Sequence, residues 1–140
     1  MKIGYVLYDY PVPSETWIPL EIEEFVMRGH DVKVHRLVNP VVDISDVDFI
    51  LSHFAHIALK ASEFGKPFGF VAHAWDIWTD KGRKFKQVIK DPNCKFVGYI
   101  SSYHKEKFIE WGCPEDKLVF WGASVDIDRL KRTRTMGRKV

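Results

Sequence analysis

The chain opens on an apolar, β-prone run, Lys2 to Tyr8, the pattern of a strand buried on both faces. Asp9 to Ser14 cannot prolong it, because Pro11 and Pro13 withhold ladder donors. Ser14 then predicts a helix N-cap, with Glu15 at the positive end of the helix dipole. Ile18, Ile22, Phe25 and Val26 recur at i, i+4, i+7 and i+8 and make one apolar face. Gly29, within Arg28-Gly29-His30, ends the helix as its left-handed C′ residue.

The strand–helix unit repeats along the chain. Asp31 to Leu37 alternates as a strand with one partly wet face, and Val47 to Leu51 is a short buried strand. His53 to Phe64 reads as a helix closed by Gly65, and Pro67 precedes the strand Phe68 to Ala72. A polar segment near Lys81 to Lys90 is the weakest helical pattern. Lys95 to Ile100 is a fifth strand, Ser101 or Ser102 caps a helix ending at Trp111-Gly112, and Lys117 to Trp121 is the sixth strand. The alternation predicts an α/β fold: a Rossmann-like, doubly wound parallel sheet of about six strands with helices on both faces. Right-handed crossovers favour the order 3-2-1-4-5-6.

In such a sheet, ligands bind beyond the carboxyl ends of the strands. Asp9–Thr16, Ser52–His56, His73–Thr79, Ser101–His104 and Gly122–Asp126 are the segments placed there. Ser14, Glu15 and Thr16 open the first helix, whose free N–H groups can receive an anion or sugar hydroxyls. His73-Ala-Trp-Asp76 follows the fourth strand, and its His and Asp can bond sugar hydroxyls. Trp75 and Trp78 either cover the apolar face of a pyranose or belong to a core or domain interface. His53 and His56 form H-x-x-H, which is not the helical i, i+4 spacing that zinc enzymes favour, so no metal is expected. As loop histidines they also suit plain structural hydrogen bonding. No G-x-G-x-x-G follows the first strand and no Walker A sequence occurs, so no cofactor is expected.

Hydrophobic residues at 46% and charged residues at 29% fit an ordinary globular domain, and a net charge of +2 gives no reason to expect nucleic acid as a partner. The charge is unevenly spread: Arg129, Lys131, Arg132, Arg134, Arg138 and Lys139 crowd the end, leaving the rest mildly acidic. That run reads as a solvated tail or linker, with a patch for anionic lipid or a phosphorylated ligand as the sharper alternative. Cys94 and Cys113 belong to no C-x-x-C motif, and with no signal peptide they point to the cytoplasm. No stretch approaches the length of an apolar membrane span.

Several short pieces in order carry a resemblance. They are Pro13-x2-Thr16 enclosing Ser14-Glu15, then Ile22 and Arg28-Gly29-His30-Asp31-Val32, then Asp48 to Ala55. Pro67, His73-x2-Asp76, Ile100-Ser101, Gly112 to Leu118 and Val125-Asp126 complete the series. Together these resemble the N-terminal domain of the family 4 glycosyltransferases, which have the two-domain GT-B fold. The resemblance covers nearly the whole chain. It implies a retaining transfer from a nucleotide-sugar donor to a glycan or lipid-linked acceptor, without a metal. His73 matches the histidine that touches the donor sugar, and Asp76 the acidic residue of the same motif, an orienting or acceptor-contacting group. Ser14, Glu15, Thr16, His53, Trp75 and Ser101 complete the expected substrate-binding set. Two departures stand out: Tyr10-Pro11-Val12-Pro13 replaces the family's glycines after the first strand, and Ala123-Ser124 replaces asparagine-glycine before Val125.

The expected organisation is residues 1–128 as the acceptor-side domain, with 129–140 as a basic tail or the start of a linker. The paired glutamates and basic clamp of the C-terminal nucleotide-sugar domain have no counterpart in the chain. By itself it is therefore expected to be inactive, in the cytoplasm or peripheral at a membrane. A stand-alone binding subunit serving a separate catalytic chain, and an unrelated Rossmann-like hydrolase, are the other readings.

Overall fold

A computed structural model describes residues 1–122. The basic tail, Val125-Asp126 and the expected boundary at residue 128 lie outside the described residues. Six strands, β1 (Lys2–Leu7), β2 (Asp31–Arg36), β3 (Phe49–His53), β4 (Phe68–Val71), β5 (Cys94–Tyr99) and β6 (Leu118–Phe120), form one sheet in which every pairing is parallel. Between them run α1 (Trp17–Met27), α2 (Ala55–Ser62), α3 (Ala74–Trp78), α4 (Arg83–Val88) and α5 (Ser102–Glu110). The α1 helix covers one face over Ile3, Tyr5, Leu7 and Leu51. On the other face α2, α4 and α5 pack over Val6, Ile50, Phe68, Phe70 and Val97. The predicted doubly wound class is the observed one.

The strand order is β2-β1-β3-β4-β5-β6, which corrects the expected 3-2-1-4-5-6. The reason is burial. The second strand is nowhere fully buried and so takes the edge, whereas four of five β3 residues are buried, as suits a strand between two neighbours. The passage from β2 to β3 crosses β1 without a helix, laying Ile44 and Val47 on Gly4. A Cβ on Gly4 would stand 3.1 Å from a Val47 methyl, so the crossing depends on that glycine. This order moves the switch point, where ligands gather, to between β1 and β3.

Pro19 corrects the start of the first helix. A helix capped by Ser14 would put Pro19 in the second turn, where its ring meets the carbonyl four residues back and its N–H is missing. The chain instead makes turns at Val12–Glu15 and Glu15–Ile18 and begins α1 at Trp17, so Pro19 falls among the first-turn residues that need no intrahelical donor. The other end is as predicted: Gly29 at φ 88° donates to Val26 O, and His30 N–H to Phe25 O. Val26, expected inside, is 54% exposed, because the buried stripe follows Ile18 and Glu21 with Ile22 and Phe25 beside it. His53, expected in a helix, is the last residue of β3. The expected loop after His73 holds the short α3, and the polar segment after it holds α4.

An aromatic ladder runs over the sheet beside α1. Phe49 stacks on Phe96 at 5.9 Å and 5°, and Phe96 on Trp121 at 5.6 Å and 9°. The Phe96 ring lies directly over Gly69, where an added Cβ would stand 2.3 Å from it. Gly69→Ala is therefore expected to lower stability by about 1–3 kcal/mol through overpacking. Denaturant unfolding measures this, and an unchanged midpoint would show that Phe96 can leave the glycine at no cost.

Candidate functional site

The sheet delivers His53 to its carboxyl edge at the β1/β3 switch, where it is 2% exposed. The backbone turns sharply after it. Phe54 has φ 68° and ψ 141°, a region that side-chain-bearing residues rarely occupy. This strained residue is held from both sides: its N–H donates to Val71 O at 2.8 Å, and its carbonyl accepts from Ala58 at 3.0 Å.

Around His53 lies a buried polar network. Its Nε2 is 2.9 Å from Glu21 Oε2 and 2.7 Å from the Tyr5 hydroxyl, which itself donates to Glu21 Oε2. Its Nδ1 is 2.8 Å from His73 Nε2. Trp121 Nε1 donates to the other Glu21 oxygen at 2.8 Å. Burial pushes the Glu21 carboxyl up, but the contacts with His53, Tyr5 and Trp121 outweigh it and hold the group below the ordinary carboxylate value. Burial, reinforced by the Glu21 charge, raises the Tyr5 phenol well above its usual value and keeps its proton on. Burial, with the neighbouring His53, takes His73 down to about 3, so its ring is neutral at physiological pH. These atoms are bonded to one another, and among the described residues no group of three or more His, Cys, Asp or Glu could hold a metal ion.

Two cavities adjoin His53. One, of about 340 Å³, is lined by Glu15, His56, Trp75 and Tyr8 together with apolar Leu7, Ile18, Phe54 and Ile57. Burial raises the Glu15 carboxyl there, against the lowering effect of His53. The His56 ring lies 4.6 Å from Trp75, and its buried Nδ1 has no partner among the described residues. The second, of about 230 Å³, is lined by Trp17, Glu21, His73, Ile100 and Trp121, with Trp17 5.8 Å from His73 between ring centres.

Of the residues singled out in the sequence, Glu15, His53 and Trp75 meet at the first cavity, and His53 with His73 at the second. Ser14 and Thr16 are exposed and line neither. Ser101 is occupied as the N-cap of α5, accepting from His104 N–H at 3.2 Å. Asp76 is 0% exposed: its carboxylate accepts from Ala55 N–H at 2.9 Å and His73 N–H at 2.8 Å, clasping the starts of α2 and α3. His53 and His56 do not act as a pair, since one faces Glu21 and the other Trp75. Glu21, Tyr5 and Trp121 were missed. For Glu21 a signal existed: it lies three residues after Ile18, a carboxylate on the inward stripe of an amphipathic helix.

Comparison with protein-family models and with curated proteins gives no match. Among solved structures, Anabaena Alr3699/HepE in complex with UDP-glucose is similar, with a TM-score of 0.59 and 13% identity over 99% of this chain. The same protein in complex with UDP and glucose matches equally. The likeness is one of fold. This chain spans 50% of the HepE chain, about half of a protein that binds UDP-glucose. Among the described residues no helix is long and apolar enough to cross a membrane.

The buried Asp76 has a pH signature. Burial raises its carboxyl from 3.8 to about 6, against the two backbone N–H bonds that lower it. The native state thus holds this proton longer than the unfolded chain, so its stabilising effect is complete below about pH 4 and is lost as pH rises through about 6. The amide of an Asp76→Asn variant cannot titrate. The stability of wild type relative to Asp76→Asn is therefore expected to fall by about 2 kcal/mol from pH 4 to 7. Denaturant unfolding of both proteins across that range measures the difference, and a difference flat with pH would exclude a raised Asp76.

Proposed function

We propose that this chain is the acceptor-side domain of a retaining glycosyltransferase, moving a sugar from a nucleotide-sugar to a glycan or lipid-linked acceptor. The observation that carries the reading is the pair of adjoining cavities at the carboxyl edge of the sheet, one around Glu15, His53 and Trp75, the other around His73. Trp75 and Tyr8 offer aromatic faces to the C–H side of a pyranose, while Glu15 accepts from its hydroxyls. In this reading His73 meets the donor sugar through a hydrogen bond rather than a charge, because its ring is neutral. Asp76 orients the His73 backbone and Ser101 supports α5. The fold shared with a UDP-glucose-binding protein of twice the span supports a nucleotide-sugar donor held by a second domain. The basic tail would join the two domains or touch a membrane surface.

A domain that holds the acceptor alone has no cationic clamp for a diphosphate. Calorimetric titration of the chain with UDP-glucose is therefore expected to give a Kd weaker than about 1 mM. Micromolar binding would put the donor site inside these residues and overturn the division of labour. On a glycan array the chain is expected to bind saccharide, with Trp75→Ala weakening it about fivefold or more, the scale of about 1 kcal/mol of lost aromatic contact. An array left blank, or binding indifferent to Trp75, would overturn the acceptor reading.

A further inference from the structure

The network beneath His73 has a direction. Two imidazoles in contact through Nδ1 of one and Nε2 of the other share a single proton at that junction, so the ring that donates it fixes what the other can present. At the lower end stands Glu21. Its Oε1 accepts from the Trp121 indole, which can only donate, and its Oε2 meets the Tyr5 hydroxyl and His53 Nε2. An ionised carboxylate accepts only, so His53 Nε2 carries a proton, and an imidazole with one proton then has a bare Nδ1. That bare nitrogen, 2.8 Å from His73 Nε2, requires a proton there and leaves His73 Nδ1 as an acceptor. At the upper end the backbone N–H of Asp76 donates to the His73 carbonyl at 3.0 Å and leaves the ring free.

We infer that Glu21 is a positioning residue, which acts through His53 to hold His73, in the lining of the 230 Å³ cavity, as the Nε2–H tautomer with Nδ1 left as a hydrogen-bond acceptor. The consequence for a ligand rests on the glycosyltransferase reading: the group recognised by His73 is then a hydroxyl or N–H donor, as a sugar supplies, and not a bare phosphate oxygen. The tautomer itself does not rest on that reading. His53 is the connecting member, and Tyr5 is a second donor that satisfies Glu21 without setting the direction.

Glu21→Gln tests the assignment while keeping the shape. The Trp121 N–H holds the amide oxygen on its own side, so the amide NH2 is turned towards His53 Nε2 and the Tyr5 oxygen. A donor replaces an acceptor, and both imidazoles must move their protons to Nδ1. Ring-nitrogen NMR of the ¹⁵N-labelled full chain at pH 8 reads this directly, because protonated and bare ring nitrogens resonate far apart. In the wild type, His53 and His73 are expected to be protonated at Nε2 and bare at Nδ1. In Glu21→Gln the two nitrogens of each ring exchange shifts, and in Tyr5→Phe they stay as in the wild type. A wild-type His73 protonated at Nδ1, a His53 carrying two protons, or a Glu21→Gln spectrum without the exchange would overturn the assignment. If Glu21→Gln does not fold, the wild-type spectrum still decides, since the relay requires Nε2–H on both rings. A chain that binds no saccharide yet shows the expected spectra would overturn the transferase reading and leave the relay standing.

Discussion

A carboxylate removed from water must be met by donors, or its burial costs several kcal/mol. Glu21 is 7% exposed beneath α1, and the groups that meet it come from Tyr5 in β1, His53 in β3 and Trp121 just after β6. One side chain of a single helix is thereby tied to the first, third and last strands of the sheet. Trp121 reaches Glu21 across 100 positions of sequence because the aromatic ladder over Gly69 holds its ring on the sheet face. His53 is fixed at Nε2 by Glu21 and at Nδ1 by His73, so the site histidine takes its orientation from the same buried charge.

The protein contains a second buried acid treated in the opposite way. Side-chain donors hold Glu21 below the ordinary carboxylate value, whereas Asp76, with two backbone N–H donors and Asp80 nearby, is raised to about 6. The difference is one of partners. Glu21 gains a phenol, an indole and an imidazole close to its two oxygens, and these offset burial. The backbone bonds to Asp76 do not, yet they clasp the starts of α2 and α3 and keep the strained Phe54 turn closed behind His53. Strain of this kind persists only where surrounding bonds determine it.

The position of those cavities follows from strand order. With β3 beside β1, the switch point falls where Leu7 and His53 end their strands, and the chambers open on either side of that histidine. One chamber carries an acid and exposed aromatic faces; the other has a neutral histidine and indoles. The fold is shared with a UDP-glucose-binding protein of which this chain spans about half.

Much of this was legible in the sequence wherever the cause was local. The apolar run of β1, the Ile18–Ile22–Phe25 stripe and Gly29 each state their structure through neighbours a turn or a residue away. His73 and Asp76 could be marked because they directly follow a strand. Pro19 was equally local: its missing N–H rules out a helix begun at Ser14. What only the tertiary structure decided are the relations between distant residues. The half-wet pattern of β2 hinted at an edge, but the order of strands depended on Ile44 and Val47 crossing at Gly4. Asp76 has the chemistry of a ligand contact, and Ala55, distant in the chain, made it a clasp. Tyr5, Glu21, His53, His73 and Trp121 lie far apart in the chain, and no periodicity connects them. Periodicity reports which side of an element is buried; which polar groups meet there is set by how the sheet is wound.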